Sequence, residues 1–315
     1  MTDFEAQIEV GNQANIDGKL QSFSFGVFLP LLIQEINSRG LRASHYIGEI
    51  TSTRQLIQHG GFSLRNLRNY SAYRGGLSVL IENRIDPPGN YPSFRNIKRR
   101  TEKQFLSAVI CLGTLSRFKN EIVALSAEAR SRWRDSGGGK NLFLQSNYVK
   151  DPAQPLVSIP MINIKESRSE SIVFENNTIP TKSMPIPLAR AYAVTAEHEW
   201  IKSLLDKHKI NYNVIASSLD AEAVVRKVTK VTLSPKRTIK GRIVTRHMDV
   251  EIVEAPKKIT LKAGDLLIDM TQPMGRFVAD VFDPRSSSSV FHSAQYTMLL
   301  LRYENFFVIP VTKIL

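Results

Sequence analysis

The chain has 315 residues, of which 42% are hydrophobic and 23% are charged, so it is long enough for two ordinary domains and its composition is not that of a disordered protein. The 42 Lys and Arg residues outnumber the 29 Asp and Glu residues, and the formal net charge of +13 favours anionic partners. The basic residues are spread along the chain rather than gathered in one run, so the sequence does not favour nucleic acid as the partner.

Cysteine content and hydropathy limit the remaining classes of protein. The single cysteine, Cys111, excludes an internal disulfide and a zinc site built from several cysteines. The N-terminal residues lack the apolar segment of a secretory signal, and no stretch approaches the roughly 18 apolar residues of a membrane helix. We therefore expect a soluble, cytoplasmic protein without a membrane partner.

The first half of the chain alternates between helical and strand patterns. Residues 1–21 are polar and end in "NQANIDGKLQ", whose Asn, Asp and Gly residues predict a loop. A helix is predicted up to Gly40, followed by a strand in "LRASHYIGEI", a helix capped by Ser63 and a buried strand in "LSVLIE". A long helix is predicted for residues 95–133, and this order of elements predicts an α/β layer with parallel strands. The apolar stripe expected to face the core consists of Phe105, Val109, Leu112, Leu115 and Ile122.

The second half of the chain has a different sequence pattern. "RDSGGGKN" is the clearest linker, and it divides the sequence into residues 1–136 and residues 137–315. Short alternating runs such as "LVSIPMINI" and "AVVRKVTKVTL" predict a β-rich (α+β) accessory domain. Within it, "TAEHEWIKSLLDKHKI" predicts one helix with Thr195 as the candidate N-cap, and "MGRFVADVF" predicts a second, shorter helix.

The residues alone give little support for the common catalytic sites. The six histidines are scattered without a close pair that could chelate a metal, and the sequence contains neither a G-x-S-x-G motif nor a phosphate-binding loop. Glu82 is the exception, because it ends a predicted buried parallel strand, where α/β folds place their sites and burial raises a carboxyl pKa. A salt bridge from Glu82 to Arg84 or to Arg68 is the purely structural alternative.

The segment "SLRNLRNYSAYRGGLSVLIENRID" resembles the region around the catalytic glutamate of zinc metallocarboxypeptidases, the carboxypeptidase A-like family. In the bacterial branch of that family, a helix with an Arg-Asn-Tyr triplet precedes an Arg-Gly turn and a strand that delivers the glutamate. The segments "EVGNQANIDGKLQ" and "LKAGDLLIDMTQPMGRFVADVFDPRSSSS" continue the likeness in the same order. The positions that carry it in the first segment are Arg68, Asn69, Tyr70, Arg74, Gly75, Glu82 and Arg84.

This resemblance implies a partial carboxypeptidase-like α/β/α sheet layer and a hydrolase of peptide or amide bonds. Zinc is the cofactor expected for the family, Glu82 would be the general base and acid, and a C-terminal carboxylate would be bound by an arginine. The candidates for substrate contact are Arg68, Asn69, Tyr70, Tyr73, Arg74 and Arg84.

The chain departs from the family pattern in one important respect. The HxxE pair that holds zinc in those enzymes does not occur in the sequence, so we expect this chain alone to bind no metal. The likeness is to the C-terminal part of such an enzyme, and the N-terminal half with the zinc ligands is a possible partner. Two hypotheses remain: a hydrolase fragment that is inactive alone, or a non-catalytic module that binds peptides or proteins.

Overall fold

The computed structural model describes residues 2–84, 97–134, 141–163, 166, 168–195, 199–239, 242–302 and 307–315, with only the backbone described for residues 235–239, 242–247 and 294. The chain divides into two compact units. Unit 1 comprises residues 1–129 and 146–182, and unit 2 comprises residues 130–145 and 183–315. The boundary that the sequence predicts between residues 136 and 137 lies outside the described residues.

Helices and strands are mixed throughout the described chain, in agreement with the general α/β class. In chain order up to the end of the seventh strand the elements are β1 (Ala6–Val10), α1 (Gly18–Phe23), α2 (Leu29–Ser38), β2 (Ala43–His45), β3 (Leu56–Ile57), α3 (Leu67–Tyr73), β4 (Val79–Asn83), α4 (Ile97–Arg117), α5 (Lys119–Arg134), β5 (Asn141–Val149), β6 (Leu156–Asn163) and β7 (Arg168–Asn176). The remaining elements are β8 (Ile179–Pro187), β9 (Ala191–Val194), α6 (Glu199–Lys207), β10 (Asn213–Val214), β11 (Leu219–Ile239), β12 (Arg242–Leu261), β13 (Leu266–Asp269), α7 (Gly275–Val281), α8 (Ala294–Arg302) and β14 (Val311–Ile314).

Unit 1 is built around a three-stranded sheet in the order β2-β1-β4. The central strand β1 lies within the polar residues 1–21, where the sequence predicted no strand. β1 runs parallel to β2 but antiparallel to β4, so the prediction that the two recognised strands are parallel was also wrong. Because side chains alternate along a strand, Ala6, Ile8 and Val10 lie on one face of β1 and are buried in the core.

Helices α2 and α4 cover the apolar face of this sheet. Leu29, Leu32 and Ile36 of α2 are buried in the same core as β1, and Leu115 and Ile122 pack against that core. The long helix expected over residues 95–133 is two helices, α4 and α5. The stripe predicted to be buried is therefore divided, because Leu115 and Ile122 pack inward whereas three of its members, Phe105, Val109 and Leu112, are exposed.

The start and end of α1 and α3 follow local chemistry. The Asp17 carboxylate caps α1 by accepting hydrogen bonds from the backbone N–H groups of Lys19 and Leu20. A π-helical turn, Ser24–Phe28, joins α1 to α2. Helix α3 begins three residues later than predicted, with Asn66 rather than Ser63 at its N-cap position, because Ser63 Oγ accepts from the Arg65 N–H in the preceding turn.

Unit 1 also contains a smaller sheet in the order β3-β7-β6, with its own core of Ile57, Ile159, Met161 and Phe174. Strand β6 pairs antiparallel with β7 along its whole length. The backbone N–H of Asp3, just before β1, donates to the Pro160 carbonyl on β6 at 2.7 Å, so the N-terminal segment links to this second sheet.

Unit 2 is β-rich. Its six-stranded sheet has the order β10-β13-β9-β14-β11-β12, and the long β11–β12 hairpin forms one edge. The helices predicted in "TAEHEWIKSLLDKHKI" and after Pro273 are confirmed as α6 and α7. The carboxylate of Asp283 is completely buried and accepts from Arg226 Nη1 at 2.9 Å and from Arg285 Nη2 at 2.8 Å. Among the described helices of the whole chain, none is long and apolar enough to cross a membrane.

Candidate functional site

Glu82 lies next to the last residue of β4, on an edge strand of the β2-β1-β4 sheet. It pairs with Gln7 of β1, two residues from the Leu80–Glu9 pair, so the side chains of Glu82, Gln7 and Glu9 share one face of the sheet. This is the face opposite the apolar core. The Glu82 side chain is exposed, so burial, on which its predicted role partly depended, does not act on it.

The neighbouring carboxylate, Glu9, is the unexpected feature of this face. Glu9 is completely buried, and its Oε1 accepts from the Gly60 N–H at 2.9 Å and from Asn12 Nδ2 at 3.0 Å. Its Oε2 lies 3.0 Å from Arg68 Nη2. Burial, with a smaller contribution from the charge of Glu82, raises the pKa of Glu9 to about 7 against the opposing effects of Arg68 and the Gly60 hydrogen bond.

Arg68 and Asn69 of α3 hold this carboxylate and the neighbouring backbone in place. Arg68 Nη2 donates to the Gly61 carbonyl at 3.0 Å in addition to its ion pair with Glu9. The Asn69 side chain accepts from the Asn12 N–H at 2.9 Å and donates to the Gly61 carbonyl at 2.9 Å. Both side chains are buried, so the structure places these two predicted substrate-contacting residues inside unit 1 rather than at its surface.

Asn12, Gly60 and Tyr148 complete the hydrogen-bond network. Asn12 Nδ2 donates to the Gly60 carbonyl at 2.7 Å and lies 2.8 Å from the Tyr148 hydroxyl, which itself donates to the Gly60 carbonyl at 2.9 Å. A Cβ atom at residue 60 would overlap the side chains of Glu9 and Arg68. Glycine is therefore required at this position, because the backbone passes directly over the ion pair.

Two histidine rings stack beside this network. The rings of His45 and His59 have centroids 3.5 Å apart and an interplanar angle of 25°. His59 Nδ1 lies 2.6 Å from the Tyr46 carbonyl, and since a carbonyl only accepts, this nitrogen carries the proton. Burial, with smaller effects of His59 and Arg68, lowers the pKa of His45 to about 3, so His45 is neutral near pH 7. Burial also lowers the pKa of His59.

The other predicted site residues fall into two groups. Arg84 and Tyr73 are structural in their placement: Arg84 Nη1 donates to Asp3 Oδ1 at 2.6 Å, and Tyr73 is completely buried. Arg74 and Tyr70, in contrast, lie at or near the surface, with the Arg74 guanidinium 5.7 Å from the centre of the Tyr70 ring. Both arginines proposed as salt-bridge partners of Glu82 therefore pair with other carboxylates, Arg84 with Asp3 and Arg68 with Glu9.

The groups around Glu82 do not fit a zinc ion. Both oxygens of Glu9 already face donors of the protein, and His59 Nδ1 is engaged by a backbone carbonyl. Because the rings of His45 and His59 stack face to face, their in-plane lone pairs do not converge as tetrahedral coordination requires. Across the described part of the chain, no group of three His, Cys, Asp or Glu side chains is placed to hold a metal.

Comparisons with known proteins identify no relative of this chain. The chain matches no protein-family profile, and no curated protein and no solved structure is significantly similar to it.

Sequence reasoning missed the buried half of this site. Glu9 and Asn12 were placed in a loop, and Tyr148 was assigned to the accessory domain, although it lies in unit 1. The alternation of Ala6, Ile8 and Val10 is the one local signal of strand β1. Tyr148 gave no such signal, because its contact to Asn12 spans 136 residues of sequence.

Proposed function

We propose that this chain provides the general-base glutamate, Glu82, of a metallocarboxypeptidase-like hydrolase of peptide or amide bonds. In this proposal unit 1 is a partial carboxypeptidase-like α/β/α layer, and the chain is inactive alone. The zinc expected for the family would be held by ligands from another polypeptide, the counterpart of the N-terminal half, because the residues around Glu82 do not fit the metal.

The exposure of the Glu82 carboxylate is the observation that carries this proposal. A general base must reach a water molecule in the site, and Glu82 is held on a strand while its side chain is open to solvent. The buried Glu9–Arg68 ion pair lies on the same face of the sheet, and together with Asn69 it fixes the backbone around residues 60 and 61. Glu82 thus lies beside a rigid framework formed by Glu9, Arg68 and Asn69, and it is not itself part of that framework.

The surface arginine Arg74 is the residue best placed to bind a substrate carboxylate. Arg68 and Arg84 are buried and already paired with Glu9 and Asp3. Arg74 is exposed at the end of α3, and its guanidinium lies over Tyr70, which leaves its N–H groups available for a C-terminal carboxylate. Arg74 and Tyr70 are accordingly retained as substrate contacts, and the others are assigned to the framework.

The test measures release of the C-terminal residue from N-acylated dipeptides. The chain is assayed alone and with a purified polypeptide that carries the HxxE half of a carboxypeptidase domain. We expect activity only in the mixture, and we expect Glu82→Gln to reduce it by about 10²–10⁴-fold, the usual effect of losing a general base. Glu170→Gln, at an exposed glutamate of β7, is the matched control and should retain full activity. Equal activity of the Glu82→Gln protein would overturn the proposal.

A non-catalytic peptide-binding module is the second candidate. It is favoured by the observation that the candidate metal-binding groups near Glu82, the Glu9 carboxylate and the His59 ring, already contact other groups of the protein and do not fit zinc. Calorimetric titration with peptides that have free or amidated C-termini separates the two candidates. Binding that needs the free carboxylate, is lost in Arg74→Ala and is unchanged in Glu82→Gln would support the binding module; absence of binding would exclude it.

A further inference from the structure

Helix α4 presents large apolar side chains to solvent. Phe105, Val109 and Leu112 are 70%, 47% and 65% exposed. The opposite, buried face of the same helix carries Ser107 and Thr114 among its buried residues. Ile110 and Leu115 of the same helix pack against the core, so α4 carries apolar side chains on both sides, and an exposed apolar face of this kind marks an interaction surface.

Gly113 is the second feature of this face. It lies four residues after Val109 and eight after Phe105, so the three form one i, i+4, i+8 ridge along the helix. A glycine inside a helix lowers stability relative to alanine. At Gly113 a Cβ atom would meet nothing within 4 Å, so packing inside the protein does not require a glycine there. Close approach of an external backbone or a large side chain would require it.

We propose that this face of α4 binds the same face of a second copy of the chain. In an antiparallel arrangement with a two-fold axis at Val109, residue 105 of one copy lies opposite residue 113 of the other. The exposed Phe105 ring then fills the notch at Gly113 of the partner copy, and this contact occurs twice. Interdigitation of i, i+4 ridges is the commonest mode of helix packing, and two-fold dimers are the commonest homo-oligomers.

Charges on the face are compatible with this arrangement. Glu102 lies opposite Ser116 and beside Arg117 of the other copy, and Thr101 lies opposite Arg117. Arg117 is exposed and paired with Glu35 at 2.7 Å, so it can accept a second carboxylate from Glu102 at its free side. Lys98, Arg99 and Arg100, at the start of α4, lie beyond Arg117 of the other copy in this register. The face is therefore complementary to itself in charge as well as in shape.

The expected affinity is moderate. A single helix crossing buries less surface than the roughly 800 Å² per partner of standard interfaces, which places the dimer in the weak class. Each chain carries a net charge of +13, so long-range repulsion opposes association and is screened by salt. We expect a dissociation constant of about 1–100 µM that falls as the salt concentration rises, which is the opposite of the salt dependence of nucleic-acid binding.

Sedimentation equilibrium of the full chain from about 1 to 200 µM tests the proposal. We expect a monomer–dimer equilibrium, at least tenfold weaker in Phe105→Glu. Val123→Glu, at an exposed valine on α5, is the matched control and should leave it unchanged. Gly113→Ala gives the sharpest readout: it should raise the thermal stability of the monomer yet weaken the dimer about tenfold. A wild-type monomer at 200 µM, or a dimer unaffected by both α4 variants, would overturn the proposal.

Discussion

Glu9 is an acid that folding buries completely, and this burial imposes a definite pH dependence on unit 1. Its pKa is raised from an ordinary 4.5 to about 7, chiefly by desolvation, so the folded state binds the proton more tightly than the unfolded state does. The contribution of protonated Glu9 to the free energy of unfolding is therefore complete below pH 4.5 and is lost as the pH rises through about 7. The shift corresponds to about 3 kcal/mol of unfolding free energy.

Glu9→Gln should remove this dependence, because glutamine stays neutral and keeps an oxygen for the Gly60 and Asn12 donors. The measurement is urea unfolding of both proteins between pH 4.5 and 7.5. We expect the difference in unfolding free energy between variant and wild type to move in favour of the variant by about 3 kcal/mol across this range. A difference that does not change with pH would contradict the assigned pKa shift.

His45 has the opposite effect on the pH dependence of stability, because it lowers the free energy of unfolding at acidic pH. Its pKa is lowered to about 3 by burial and by the proximity of His59 and Arg68, so stability is present above pH 6.5 and is lost as the pH falls toward 3. His45→Phe preserves a ring for stacking on His59 and removes Nε2, which is buried without a hydrogen-bond partner. We expect its acid unfolding midpoint, followed by circular dichroism, to lie at lower pH than that of the wild type. An unchanged midpoint would show that His45 does not limit acid stability.

The packing of α3 on β1 gives a prediction at the scale of secondary-structure elements. Gly11, one residue after β1, lies so close to α3 that a Cβ atom would overlap the Ala72 Cβ and lie 3.1 Å from the Arg68 carbonyl oxygen. Gly11→Ala should therefore push the helix that carries Arg68 and Asn69 away from Glu9, at a cost of about 1–3 kcal/mol. Gly18→Ala, where the added Cβ would meet nothing within 4 Å, should change stability by less than about 0.5 kcal/mol.

Thermal or chemical unfolding of the two glycine variants measures this contrast. If Gly11→Ala were as stable as Gly18→Ala, α3 and β1 would not be in close contact, and the hydrogen bond from the Asn12 N–H to Asn69 Oδ1 would need another explanation. The variant has a second readout, because loosening the Glu9–Arg68 ion pair would also change the pH dependence expected for Glu9.

Local signals at this scale explain which elements could be predicted. Helices α6 and α7 were found because their periodicity and their stop signals lie within one short segment. Strand β1 was missed because Glu5 and Glu9 are polar in sequence but buried through contacts with distant partners. Without the central strand, the relative direction of β2 and β4 could not be obtained from the order of elements. The same omission hid the buried network beside Glu82, whereas Glu82 itself stood out because it ends an apolar run.

At the scale of the whole molecule, the change of sequence pattern beyond "RDSGGGKN" was interpreted as the start of a β-rich domain at residue 137. It could not predict that residues 146–182 belong to unit 1, because β6 and β7 pair with each other and with β3, far back in the sequence. Each unit has hydrophobic clusters of its own, built from β1, α2 and β6 in unit 1 and from β11, β12 and α8 in unit 2. We therefore expect two cooperative unfolding transitions.

The two tryptophans provide a probe for one of these transitions. Trp133 and Trp200 both belong to unit 2, so intrinsic tryptophan fluorescence reports on that unit, whereas far-ultraviolet circular dichroism reports on both. Asp283→Asn removes the carboxylate that neutralises the completely buried Arg226, and leaving a buried charge without its partner costs about 3–5 kcal/mol. The midpoint of the unfolding transition followed by tryptophan fluorescence should therefore move to a lower urea concentration, by an amount that corresponds to this loss of unfolding free energy.

The urea unfolding curve of Asp283→Asn followed by circular dichroism should then show two steps. The first should coincide with the fluorescence transition, and the second should lie at the urea concentration at which unit 1 unfolds in the wild type. Glu251→Gln is the matched control in the same unit, since its ion pair with Lys230 is exposed and contributes at most about 1 kcal/mol. If both probes moved together in Asp283→Asn, the units would unfold as one cooperative system. In that case the Gly11→Ala variant in unit 1 would shift the tryptophan transition as well, and this second variant distinguishes coupled from independent units.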